Sequence, residues 1–158
     1  MSETCQKTTS AGCGVKTLGE KTYRCYFELA LQVMGGKWKP IILYHLGASG
    51  VLRFSELRRG MPEVTDRMLT RQLRELEADG LIVREVYRQV PPRVEYSLTR
   101  LGLGLFPILE QMRDWGAEYE TTCGGPELQP GEAYEPPAPR TLHPRYQVAL
   151  GDCKDAVR

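Results

Sequence analysis

The sequence predicts a mainly α fold with a single β-hairpin, an α+β class. Three observations carry this. Apolar residues recur at helical spacing through most of residues 21–122. Two alternating segments, "LIVREVYR" and "RVEYSL", flank "QVPP" as hairpin strands flank a tip. Gly35–Gly36, Pro62 and Gly80 punctuate the helical blocks.

Each element follows in order. Phe27, Ala30, Leu31 and Met34 share one helical face, and Gly35–Gly36 ends that helix. A second helix runs through "KWKPIILYHLGAS". Pro40 fits its first turn, where a missing N–H costs nothing. Ile41, Leu43, Tyr44 and Leu46 supply its apolar surface. Leu52–Phe54 reads as a short strand, and Ser55 as the N-cap of a short helix carrying Leu57 and closed by Pro62. In "TDRMLTRQLRELEADG", Thr65 or Asp66 caps a longer helix, Leu69, Leu73 and Leu76 face inward, and Gly80 stops it. Ile82, Val86, Val94, Tyr96 and Leu98 are the buried candidates of the hairpin. Thr99 opens a last helix to about Tyr119, with Leu101, Leu105, Ile108, Leu109, Met112 and Trp115 as an apolar stripe and a local kink at Pro107. The order, a short helix, a turn, a longer helix with outward basic residues and then a hairpin, is that of a winged helix-turn-helix.

Residues 1–20 are polar and aperiodic and read as a flexible N-terminal arm. Residues 21–122 form the folded domain. Residues 123–158, with "EPPAPR", read as a Pro-rich, disordered tail. At 158 residues, 41% hydrophobic and 26% charged, the composition is that of an ordinary globular chain. No apolar run suggests a membrane span, and the N-terminus has no secretory h-region, so the expected location is the cytoplasm. Cys5, Cys13, Cys25, Cys123 and Cys153 show no C-x-x-C spacing, so no metal is implied and free thiols are the expected state.

The net charge of +1 hides a segregation. Residues 37–74 carry eight basic and three acidic groups, and residues 75–122 carry five basic and nine acidic. A basic face for a polyanion explains this, as do simply solvated helix faces.

With the three leucines inward, Arg67, Thr70, Arg71 and Arg74 lie on the outer side of their helix. Arginine reads guanine through a bidentate bond, and threonine meets a base edge or a methyl group. The N-terminal half enters the major groove deepest, which makes Thr65, Arg67, Thr70 and Arg71 the leading base contacts and Arg74 a phosphate contact. The alternative is a solvated face paired with Glu75 or Glu77. Arg88 and Arg93 flank the hairpin tip, where a wing reaches the minor groove or the backbone. Lys37 and Lys39 flank Trp38 at a helix start and, with Arg53 and Ser55, are further phosphate candidates.

The blocks "GGKWKPIILYHL", "RFSELRRGMPEVTDRMLTRQLRELEADGLIVREVY" and "VPPRVEYSLTRLG" resemble the HxlR-type winged-helix transcriptional regulators, relatives of the MarR group. The likeness runs from about Cys25 to Trp115. It implies a homodimer on double-stranded operator DNA, dimerising through the first and last helices. Family members often carry a cysteine just before the first helix, and Cys25 matches that position. In several members this cysteine senses quinones, aldehydes, disulfide stress or hypochlorite, some through a disulfide between subunits. At Cys25 a helix N-terminus and Arg24 favour the thiolate, while Glu28 opposes it. Packing at the dimer seam remains the other reading of Cys25.

Three functions follow: a dimeric DNA-binding regulator, a winged-helix protein-interaction module without DNA, or an enzyme. The sequence has no Gly-rich phosphate loop, metal-ligand cluster or His–carboxylate pair, which disfavours the enzyme and implies no cofactor. An oxidant or a small molecule held at a seam of Tyr26, Phe27, Met112 and Trp115 is an alternative source of control.

Overall fold

Gly19 begins the architecture. It takes a φ of 57° at the first central position of a two-residue turn, where an L side chain would be strained. The turn joins β1 (Lys16–Leu18) to β2 (Lys21–Tyr23) in antiparallel register, with Leu18 opposite Lys21. The computed structural model describes residues 14–90 and 92–125. This small hairpin occupies the end of the stretch that the sequence reads as an aperiodic arm. The expectations for residues 1–13, for the tail from residue 126, and for Cys5, Cys13 and Cys153 lie outside the described residues.

The described chain divides into two compact units after Gly35. In the first, α1 (Tyr26–Met34) follows β2, and Gln32 Nε2 donates to the Thr22 carbonyl at 2.6 Å. The Lys16 ammonium lies 4.7 Å from the centre of the Tyr26 ring.

The second unit contains α2 (Trp38–Ser49), β3 (Leu52–Arg53), α3 (Phe54–Gly60), α4 (Asp66–Ala78), β4 (Ile82–Tyr87), β5 (Arg93–Leu98) and α5 (Arg100–Thr122). The sheet order is β3-β5-β4, antiparallel throughout. The core joins Ile42, Leu43 and Leu46 of α2 to Leu57 of α3 and to Leu69, Leu73 and Leu76 of α4, all buried. Each such side chain contributes about 1.5–3 kcal/mol. His45 is in the core: a Cβ added at Gly60 would meet its ring at 2.7 Å. Burial lowers its pKa and so favours the neutral imidazole.

Several expectations need correction. Ser55 is not the cap of α3. The helix starts at Phe54, and the Glu56 carboxylate accepts from the Arg53 backbone N–H at 2.8 Å, which satisfies a free donor at the helix start. Val86 is exposed, because burial along β4 falls away from Ile82 as the hairpin extends past the core. The stripe of α5 divides: Leu109 is buried, while Leu101, Ile108, Met112 and Trp115 are exposed, joined by Tyr119. The helix runs on through Pro107.

Candidate nucleic-acid interface

The helix-turn-helix is built from α3, the turn through Met61–Val64, and α4. Met61 and Val64 are buried in the turn, and Val64 N–H donates to the Met61 carbonyl at 3.2 Å. Arg58 fastens this turn from outside. Its guanidinium donates to the carbonyls of Met61 and Pro62, each at 3.1 Å, and through Nε to Asp66 Oδ1 at 2.7 Å. Arg58 counts in the sequence as one more positive charge. Its role depends on turn carbonyls that a residue pattern does not reveal.

Thr65, not Asp66, caps α4, and its hydroxyl accepts from Met68 N–H at 3.2 Å. The other end closes as the glycine stop predicts. Gly80 takes a φ of 71°, its N–H donates to the Glu77 carbonyl at 3.0 Å, and Leu81 N–H donates to that of Leu76 at 3.0 Å. Both ends of α4 are therefore fixed, and its buried residues Leu69, Gln72, Leu73 and Leu76 set its rotation. That rotation puts Asp66, Arg67, Thr70, Arg71 and Arg74 around one open depression. Thr65, Arg67, Arg71 and Arg74 are exposed and Thr70 is half-buried.

Arg71 carries an ion pair: Nε donates to Glu75 Oε1 at 2.8 Å, one helical turn on. With the Arg71 side chain 72% exposed, water screens this pair, and it contributes about 0.3–0.5 kcal/mol. Lys39 and Arg71, in that order, hold the Glu75 carboxyl below its ordinary pKa by hydrogen bonding.

Lys39, a phosphate candidate in the sequence, has its ammonium set against carboxylates in the structure. The side chain is 9% exposed and lies 3.0 Å from Glu75 Oε2 and 3.8 Å from Asp79 Oδ2. It ties α2 to the C-terminal half of α4, where a cation also complements the helix dipole. Lys37 stays outside, 2.9 Å from Glu63 Oε2 and over the half-buried Trp38 ring at 4.5 Å. Hydrogen bonding to Lys37 holds the Glu63 carboxyl low. Because both partners are exposed, Lys37→Ala should leave the midpoint of a urea melt close to that of wild type.

A second depression forms at the root of the wing, lined by Arg53, Phe54, Ser55, Gln89, Pro92, Arg93 and Val94. It brings Arg93 to Arg53 and Ser55 from a separate segment of the sequence. Beneath it, Glu95 is buried, and its Oε1 accepts from Arg93 Nε at 2.6 Å with Arg53 Nε at 3.7 Å. Sequence reasoning singled out neither Gln89 nor Glu95. Alternation put Glu95 on the face opposite Val94, Tyr96 and Leu98, and its burial involves partners from β3 and from the hairpin tip that a residue pattern does not reveal. Arg88 is exposed beside the tip, and Val90 is fully exposed there.

Cys25 caps α1 and is exposed, with Glu28 N–H donating to its Sγ at 3.4 Å. The Glu28 carboxylate turns back to accept from Arg24 N–H at 2.7 Å. Cys123 is exposed at the end of α5. Among the described residues no group of His, Cys, Asp and Glu is placed to hold a metal ion. No described helix is long and apolar enough to cross a membrane.

Residues 33–123 match the family model described as HxlR-like helix-turn-helix. The HTH-type transcriptional regulator YdeP of Bacillus subtilis (strain 168) is 57% identical over 96 residues, covering 61% of this chain and 74% of that protein. The redox regulator HypR in its oxidised form is 58% identical, with a TM-score of 0.57 over 60% of this chain and 96% of that one. The reduced form of the transcriptional regulator YodB from B. subtilis is 30% identical, with a TM-score of 0.52 over 60% of this chain and 92% of that one.

Proposed function

The chain belongs to the HxlR-like helix-turn-helix family and is a transcriptional regulator of the helix-turn-helix type, and from that premise we propose that it is a cytoplasmic homodimer recognising a specific operator through α4. The observation that carries this is the arginine-rich outer side of α4, held in place by caps at both ends and a leucine face behind. Arg67, Thr70 and Arg71 read bases, with Thr65 at the helix start. Arg74, Arg53, Ser55, Lys37, Arg88 and Arg93 meet the backbone or the adjacent minor groove. Residues 21–122 constitute the DNA-binding and dimerisation domain.

Dimerisation through α1 and α5 rests on their exposed apolar residues. Tyr26 and Phe27 on α1 and Met112, Trp115 and Tyr119 on α5 are each more than half exposed in the single chain. A mobility shift at graded salt tests the reading. Binding that weakens steeply with salt supports DNA as the partner. A chain that never shifts DNA favours the protein-interaction module instead.

Redox control through Cys25 is the finer part of the proposal. The similarity to HypR and YodB supports it, as does an exposed thiol at a helix head. On operator DNA treated with diamide, wild type should lose or change its binding and show a shifted band on a non-reducing gel. Cys25→Ser should do neither. An identical response of both proteins removes Cys25 as the sensor, and a response only to an added small molecule favours a ligand at the seam.

A further inference from the structure

We propose that Glu95 is a positioning residue for the contact with DNA phosphate: it sets Arg53 and Arg93 as two arms of one clamp at the root of the wing. This rests on the DNA-binding reading above and adds a residue to it whose own charge opposes DNA.

The geometry carries the inference. Glu95 lies on the central strand, directly opposite Arg53 on β3 and Glu85 on β4. Its side chain is 9% exposed, while those of Arg53 and Arg93 are 47% and 39% exposed. The carboxylate is thus below the surface and the two guanidinium groups rise from it. Arg93 is held a second way, its guanidinium 5.3 Å from the centre of the Tyr87 ring. Tyr87 is oriented in turn by donating to Glu85 Oε2 at 2.9 Å. Arg53 and Arg93 share this one carboxylate and line a depression whose other lining residues include Ser55 and Gln89. Such a set of donors fits a phosphodiester oxygen. Without the buried carboxylate, two like charges on neighbouring strands would repel and sample many rotamers. Glu95 removes both penalties before DNA arrives.

The test is a difference of sign. Removing an acidic group from a surface facing DNA strengthens binding when the group acts only as a charge. Removing a group that positions two phosphate contacts weakens it. Anisotropy titrations on a mixed-sequence DNA duplex, across a salt series, should show Glu95→Gln binding several-fold more weakly, with the slope of log K against log salt reduced by about 0.9–1.8. Glu95→Asp keeps the charge and shortens the reach, so it should weaken binding in the same direction, and it serves if the glutamine variant does not fold. Arg53→Gln with Arg93→Gln should lower the slope by the same amount, and adding Glu95→Gln should lower it no further. A folded Glu95→Gln that binds equally or more tightly at an unchanged slope overturns the inference. If it does not fold, unchanged binding by Glu95→Asp overturns it. Wild type that binds no duplex at any salt overturns the DNA-binding reading with it. Wild type whose binding depends on Arg71 but not on Glu95 overturns this inference alone.

Discussion

Arg71→Ala should abolish specific operator binding while leaving the dimer intact. Its side chain lies in the middle of the exposed face of α4, beside Arg67, Thr70 and Arg74. A bidentate contact to one base gives about 1–3 kcal/mol of discrimination. A dimer loses it at both half-sites, a total of about 2–6 kcal/mol. The cost to folding is small, because the bond that holds Arg71 among the described residues is the screened pair with Glu75. Footprinting and sizing chromatography on the same preparation check both halves. A preserved footprint removes α4 as the reading helix. Arg74→Ala, further towards the C-terminus, should instead weaken all sequences alike, as loss of a phosphate contact does.

Gly102→Ala should be strongly destabilising. A Cβ at this position would stand 2.2 Å from the Leu81 carbonyl oxygen. That oxygen is already engaged, accepting from Thr99 N–H at 2.9 Å and from Thr99 Oγ1 at 3.2 Å. Thr99 is also the N-cap of α5, its hydroxyl accepting from Gly102 N–H at 3.0 Å. The extra methyl therefore pushes on backbone and on the cap together. The expected cost is about 1–3 kcal/mol from overpacking, with about 1 kcal/mol more if the cap is lost. For a domain of this size each kcal/mol lowers Tm by about 4–8 °C. Gly104→Ala, with nothing within 4 Å of its added Cβ, should stabilise by about 0.5–1 kcal/mol. Thermal melts of the pair should move in opposite directions. A Gly102→Ala melt equal to wild type would contradict the close docking of α5 on Leu81.

What the sequence made legible was local. The cap at Thr65, the inward leucines of α4, the stop at Gly80 and the strand Arg93–Leu98 all follow from residues a few positions apart. What it hid depends on distant partners. Lys39 looks like a free cation beside Trp38 until α4 brings Glu75 and Asp79 to it. Arg58 looks like another basic residue until the turn presents its carbonyls. Strand alternation told which face Val86 shares with Ile82 but not how far the sheet outruns the core. The α5 stripe was visible as a stripe. Which of its residues cover the core and which remain for another surface depended on where α2 meets it, with Phe106 pressed on Gly47.

If paired copies of α4 read a defined sequence, as proposed, selection from a random-sequence duplex pool should enrich an inverted repeat whose half-site centres lie one helical turn apart, roughly 34–36 Å, with no enrichment by Arg71→Ala. A folded wild-type protein that enriches no sequence, or the same sequence with and without Arg71, would contradict the proposal.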